Sequence, residues 1–211
     1  GRLQIPFAER YSIGMAKSEI DNAGGSVKFQ LSSDKPPVEY FVIQSSYAGF
    51  PVEVALFLAN GRIAKARATF ASESILNRWE PRWESEVSKV RETKSGVSEQ
   101  THNRQCQQYS DVIVSKLLTR YSPPVKGFSE TSTDDRASVE AAFSSDRLTI
   151  EFANSKEKVA HFVPAKGDAR ITYRWTETRR AYRADRSNPS NILIGTNIHR
   201  GLYCKLELSA T

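Results

Sequence analysis

The sequence predicts an α+β fold in which an antiparallel sheet carries helices packed on one face. Asn60-Gly61 separates two segments rich in β-branched and aromatic residues, and both residues readily adopt the positive φ that a two-residue hairpin needs. Apolar residues recur at helical spacing through residues 105–121, and further strand-like segments follow them. Hairpins combined with an amphipathic helix are typical of this fold class.

Length and composition predict one compact domain over residues 1–211. The chain has 39% hydrophobic and 10% aromatic residues, more aromatics than a disordered chain carries. Two cysteines are too few for a disulfide-dense small protein, and no apolar run approaches the 18 residues or more that a membrane span needs. The formal net charge of +6 is basic but moderate.

The first half of the chain predicts one short helix, three strands and a second helix. The short helix covers residues 16–23 and ends at Gly24-Gly25. The strands are predicted at residues 38–47, 50–58 and 62–70. Residues 72–94 carry a stripe of apolar residues at helical spacing, interrupted by Pro81. The members of this stripe are Ile75, Trp79, Trp83, Val87 and Val90.

The second half predicts the clearest helix of the chain, followed by strands. Its helix covers residues 105–121, with the apolar stripe Cys106, Tyr109, Ile113, Leu117 and Tyr121. Strands are predicted at residues 138–143, 147–153 and 170–175, and a final strand pair covers 192–199 and 202–208. Helix, strand hairpin and further strand recur in this order. We therefore hypothesise two tandem α-β-β-β units, 7–100 and 101–186, with the strand pair 192–208 outside them.

Short motifs over residues 7–175 resemble those of small exported bacterial proteins. The helix opening Ile13-Gly14-Met15-Ala16-Lys17-Ser18-Glu19-Ile20, followed by the hairpin around Asn60-Gly61, is similar to the SmpA/BamE-type outer-membrane assembly lipoproteins. Two tandem copies of such a unit also resemble the β-lactamase inhibitory proteins, which bind a hydrolase with a concave sheet. The resemblance implies an exported, non-catalytic binding protein. We expect an export signal to have been removed; without a lipobox cysteine at the start of the sequence, a lipid anchor is not supported.

The two cysteines are both predicted to point into the core. Cys106 begins the helical stripe, and Cys204 shares a strand face with Leu202, Leu206 and Leu208. We predict a disulfide between Cys106 and Cys204; two separate buried thiols are the alternative. A disulfide would agree with a periplasmic or secreted location.

No sequence motif predicts catalysis, a cofactor or a metal. A G-x-S-x-G elbow and glycine-rich phosphate loops are absent, and the pair Asp134-Asp135 falls in a polar loop. His102 and Cys106 are four residues apart, but two ligands do not complete a metal site. We therefore predict no catalytic residue, no cofactor and no metal ligand.

Residues 170–186 form the most basic stretch of the chain, with six arginines and interleaved aromatic residues. Arginine and aromatic side chains are typical anchors of protein interfaces, but they also bind single-stranded nucleic acid or form a solvated strand edge. Trp79 is either a further anchor or part of the core. The predicted partner-binding residues are Arg170, Arg174, Arg179, Arg180, Tyr182, Arg183 and Trp79.

These observations predict a protein that binds another protein, one with an acidic surface or cleft, rather than an enzyme. An inhibitor or immunity-type protein that caps a hydrolase or toxin is the most concrete version, and an envelope-assembly adaptor is the other. Binding of nucleic acid through residues 170–186 is the alternative function, and a weak hydrolase is the third.

Overall fold

A computed structural model describes residues 2–22, 27–82, 89–121, 129–133, 147–163, 165–183 and 193–211. The first half contains helix α1 (Lys17–Asn22) and strands β1 (Val27–Leu31), β2 (Glu39–Tyr47), β3 (Phe50–Ala59), β4 (Arg62–Pro81) and β5 (Arg91–Gly96). The second half contains α2 (Glu99–Gln108), a π-helical turn (Tyr109–Val114), α3 (Ser115–Tyr121), β6 (Ser129–Thr133), β7 (Arg147–Phe162), β8 (Gly167–Arg183) and β9 (Leu193–Ala210). The predicted antiparallel sheet is confirmed, but the fold is mostly sheet rather than a balance of helix and strand.

Two tight turns set the register of β2, β3 and β4. Ala48-Gly49 and Asn60-Gly61 all have positive φ, with 52° and 70° at Asn60 and Gly61, as two-residue hairpins require. The predicted hairpin and the three predicted strands are therefore confirmed. The register of β3 with β4 shifts between Phe57 and Leu58, so that Leu58 pairs with Ile63 while Phe57 pairs with Lys65. This β-bulge at Ala64 changes which residues of β4 are buried.

The predicted helix over residues 72–94 is wrong where the structure describes it. Strand β4 continues from Arg62 to Pro81, and β5 begins at Arg91; Trp83 and Val87 lie outside the described residues. Strand β4 pairs with β9 along its whole second half and with β5 through Ser74–Trp79, so its backbone hydrogen bonds go to two neighbouring strands. This pairing outweighs the local helical spacing of Ile75 and Trp79.

The predicted helix of the second half is confirmed, and it begins earlier than expected. Ser98 caps α2 by accepting a hydrogen bond from the backbone N–H of Thr101, at 3.2 Å. The chain then passes through the π-helical turn into α3 without leaving the helical path. Four members of the predicted stripe are buried, namely Cys106, Tyr109, Ile113 and Leu117. The helix crosses the sheet, because α2 contacts β4 and β9, the π turn contacts β8, and α3 contacts β7.

The predicted strand pair at the C-terminus is one strand instead. Strand β9 runs from Leu193 to Ala210 without a turn, because it pairs with β4 on one side and β8 on the other. Gly201 and Gly195 lie within this strand, where aromatic rings of Tyr203 and Trp79 cover them. Strands predicted at 147–153 and 170–175 are confirmed within the longer β7 and β8; the strand predicted at 138–143 lies outside the described residues.

The sheet has the strand order β1-β2-β3-β4-β9-β8-β7-β6, and β5 pairs with β4 beside β3. Residues alternate between two faces. The covered face packs under the helices and the N-terminal segment, and it forms a core that includes Phe7, Leu56, Ile113, Leu206 and Leu208. The opposite face, here called the open face, is exposed along β4 at Lys65, Arg67, Thr69, Ala71 and Glu73. Over the described residues, no helix has the length and apolar character needed to cross a membrane.

Leu206→Ala tests the assignment of this core. Leu206 is fully buried on the central strand β9, whereas Leu31 on the outer strand β1 is 58% exposed. We expect Leu206→Ala to lower the free energy of unfolding by about 2–5 kcal/mol, since it removes buried methyl groups and leaves a cavity. Leu31→Ala should change it by less than about 0.5 kcal/mol. Urea denaturation measures both values; similar losses for the two variants would contradict the described core.

Candidate functional site

The structure spreads the predicted arginine segment along one strand. All six predicted residues of the segment lie on β8, and Arg170 pairs with Glu207 near its beginning. The other five residues lie further along β8, as far as Arg183, which pairs with Leu193 of β9. Arg174, Arg179, Arg180 and Tyr182 pair with Tyr203, Ile198, Asn197 and Gly195. Arg170 and Arg183 are thus about 40 Å apart along the strand; Arg186 lies outside the described residues.

Trp79 meets the far part of this segment through strand β9. Asn197 pairs with Trp79 on β4 and with Arg180 on β8, so the three residues occupy one row across the sheet. The Trp79 ring is half-buried and lies over Gly195, where a Cβ would clash with the indole. Packing against the sheet therefore accounts for much of the Trp79 surface.

An aromatic and basic patch lies on the open face of β2, β3 and β4. We call Tyr40, Phe57, Lys65 and Arg67 the open-face patch. Tyr40 pairs with Phe57, their ring centroids are 5.4 Å apart, and Phe57 pairs with Lys65. The guanidinium carbon of Arg67 lies 5.2 Å from the centre of the Phe57 ring, a cation–π contact.

The cations of this patch lack carboxylate partners. Within the described residues, Lys65 and Arg67 make no ion pair. The Glu53 side chain, four residues before Phe57 on β3, accepts a hydrogen bond from Gln44 at 3.1 Å. Half-buried aromatic rings beside unpaired basic groups are typical of protein interface anchors. The patch thus combines apolar area with free positive charge.

Sequence reasoning missed this patch because of the β-bulge. An uninterrupted hairpin at Asn60-Gly61 would pair Phe57 with Ala64, whereas the bulge pairs it with Lys65. One signal was present in the sequence: apolar residues fall at Ile63 and then at Ala66, Ala68 and Phe70, a spacing of three followed by spacings of two. That break in alternation indicates one inserted residue.

The two cysteines meet under helix α2. Both are buried, and the thiols of Cys106 and Cys204 are free but within hydrogen-bonding contact of each other. His102, one turn before Cys106, is also buried, with its Nε2 atom 3.5 Å from the Cys106 Sγ atom. The Nδ1 atom of His102 lies 3.0 Å from the Ser72 Oγ atom, and the Ser72 hydroxyl donates to the Gln105 Oε1 atom at 2.7 Å.

This buried polar cluster shifts the acidity of its members. The hydrogen bond from Cys204 lowers the pKa of the Cys106 thiol, and the same bond together with burial raises the pKa of Cys204. Burial lowers the pKa of His102, so that the neutral imidazole is favoured beside the thiols. Among the described residues, no group of three or more His, Cys, Asp or Glu side chains is placed to hold a metal ion.

Comparison with known proteins gives no match to a family model, a curated protein or a solved structure.

The buried His102 predicts that stability depends on pH. A histidine with a lowered pKa in the folded state contributes stability that is present above the unfolded pKa of about 6.5 and lost as the pH falls below it. We expect urea denaturation to give a larger loss of unfolding free energy between pH 7.5 and pH 5 for the parent than for His102→Gln. An equal loss in both proteins would contradict the assignment of His102 as a buried neutral group.

The contact between Cys106 and Cys204 predicts that they form a disulfide under oxidising conditions. Oxidised glutathione should lower the protein mass by two hydrogen atoms and raise the melting temperature. Closing a loop of roughly 100 residues stabilises by about 4–5 kcal/mol in the chain-entropy model. The Cys106→Ser/Cys204→Ser variant should show neither effect. A mixed disulfide with glutathione, without the intramolecular bond, would refute the prediction.

Proposed function

We propose that this chain is an exported, non-catalytic protein-binding module that uses the open face of its sheet. Its most concrete form is an inhibitor or immunity-type protein that caps a hydrolase or toxin, and an envelope-assembly adaptor is the second form. The observation that carries the proposal is the open-face patch, where Tyr40 and Phe57 stack beside the unpaired cations of Lys65 and Arg67.

The sheet supports such a role because it presents a broad, ordered surface. Hydrogen-bonded strands hold their side chains at fixed spacings, so a partner meets the patch without ordering a loop. Arg170 is exposed and lies opposite Glu207 of β9 in the sheet. Glu207 lies opposite Thr69 of β4, the next residue after Arg67 on the open face. Of the predicted partner-binding residues, Arg170 thus lies closest to the patch.

The strand order also supports the proposed tandem units. Helix α1 precedes the run β1-β2-β3-β4, and the helix of residues 99–121 precedes β6-β7-β8-β9. Each run proceeds from an outer position of the sheet to its centre, where β4 and β9 pair. An ancestral duplication would generate this arrangement, with β9 inside the second unit rather than outside it.

An acidic protein fits the open face better than nucleic acid does. Three carboxylates lie among the basic residues of the open face, namely Glu53, Glu73 and Glu207. The Glu207 Oε2 atom forms an ion pair with the Lys205 Nζ atom at 3.3 Å. A groove that follows a phosphate backbone needs continuous positive charge. An aromatic centre with local unpaired cations is instead suited to a protein partner of opposite charge.

Charge reversal at the patch tests the proposal. The parent, a Lys65→Glu/Arg67→Glu variant and a matched Arg104→Glu/Lys166→Glu variant are each immobilised and exposed to a nuclease-treated periplasmic extract. Arg104 and Lys166 are exposed cations away from the patch, so the control carries the same change of net charge. We expect one stoichiometric acidic protein on the parent and the control, and at least tenfold less of it on the patch variant.

A second measurement addresses the consequence of binding. For an inhibitor, adding the parent to the purified partner should abolish its hydrolytic or toxic activity, and the patch variant should not. Capture that is the same for all three proteins would remove the open-face patch from the proposal. Binding of single-stranded nucleic acid by the parent, with an affinity that falls linearly with salt on logarithmic axes, would favour the alternative function instead.

A further inference from the structure

A groove lies between the N-terminal segment, the end of β2 and helix α3. It has a volume of about 680 Å³, within the range of ligand pockets. Its lining combines apolar groups, such as Phe7 and Ile43, with the polar Ser45, whose hydroxyl donates to the Phe7 carbonyl oxygen at 3.4 Å. The groove does not contain the open-face patch or the buried cysteines.

The Tyr47 hydroxyl is an unexplained polar atom of this groove. Tyr47 lines the groove and is 5% exposed, and its hydroxyl makes no hydrogen bond within the described residues. A buried hydroxyl without a partner destabilises a fold, so such groups are rare unless a ligand or water completes them. Burial, and to a smaller extent the nearby Tyr121, raises the pKa of Tyr47, which keeps the hydroxyl protonated as a donor.

Cations line the groove beside Tyr47. The Lys116 Nζ atom lies 5.1 Å from the centre of the Tyr47 ring, and Arg10 and Arg120 also line the groove. Glu9 is the one carboxylate of the lining, and it pairs with Arg120 and accepts a hydrogen bond from the Tyr121 hydroxyl at 3.4 Å. Within the described residues Lys116 and Arg10 make no ion pair, so the groove keeps a net positive charge.

We propose that this groove binds a small carboxylate with an apolar body. The carboxylate accepts charge-assisted hydrogen bonds from Lys116 and Arg10 and a hydrogen bond from the Tyr47 hydroxyl. The apolar body lies along Phe7 and Ile43. Such a ligand would pair with the hydroxyl and the two cations and also contact the apolar wall. An uncharged apolar molecule would leave the cations unpaired, and inorganic phosphate would leave the apolar wall without a contact.

Calorimetric titration with decanoate tests the proposal, with 1-decanol and inorganic phosphate as the matched partial ligands. We expect decanoate to bind at least about tenfold more tightly than either, because it alone engages both the cations and the apolar wall. Arg10→Gln/Lys116→Gln should weaken decanoate binding by about tenfold or more. Arg104→Gln/Lys166→Gln, which removes the same charge elsewhere, should leave it unchanged.

Tyr47→Phe separates binding from folding. Because the hydroxyl has no partner within the described protein, its removal should leave the melting temperature equal or higher, while decanoate binding weakens by about fivefold. A lower melting temperature, or unchanged affinity in Tyr47→Phe, would overturn the role of the hydroxyl. Equal binding of decanoate and 1-decanol, binding by phosphate alone, or no binding of decanoate would overturn the proposal. None of these outcomes bears on the open-face patch, which the titration does not involve.

Discussion

The pairing of β4 with β9 is the constraint on which the rest of the structure depends. It joins sixteen residue pairs, from Ala66 with Ala210 to Pro81 with Gly195, and it links the strand run of the first half to that of the second. Both strands are central, so every other residue of this seam faces the helices, and Ala66, Ala68, Leu206 and Leu208 are completely buried there. A disturbance of this seam would separate the sheet into two narrower sheets, each with an exposed edge.

The same seam also positions the helix of residues 99–121. Ser72 pairs with Cys204, and these two small side chains leave room for Cys106 and His102 of α2 to approach the sheet. The polar atoms of this contact satisfy one another, since Ser72 bonds both His102 and Gln105. A satisfied polar cluster in an apolar core fixes the register of the packed elements, because shifting the helix would leave each group without its partner.

Local sequence signals predicted those elements whose structure is decided locally. The turn at Asn60-Gly61 and the helical stripe from Cys106 to Leu117 belong to this group, because backbone conformation and periodicity determine them directly. The extension of β4 through Trp79 is decided by partner strands far away in sequence, and local spacing predicted a helix there. The break between the predicted strands 192–199 and 202–208 is absent for the same reason, since Gly201 lies under the Tyr203 ring within a continuous strand. Neither candidate surface could be predicted from local signals, because the open-face patch depends on a bulge and the groove is formed by three separate segments.

Strand β2 contributes to both proposed surfaces, at different points along its length. Tyr40 belongs to the open-face patch. Ile43 and Tyr47 lie further along β2 with their side chains on the covered face, where they line the groove. Residues on opposite faces of one strand share a backbone but no side-chain contacts. Ladder bonds to β3 hold this backbone from Tyr40 to Tyr47, and β1 pairs with it up to Ile43, so a ligand in the groove moves the patch only by moving the sheet. Substitutions at Lys116 and at Lys65 should therefore act additively on the two binding events, as expected for sites without a shared partner.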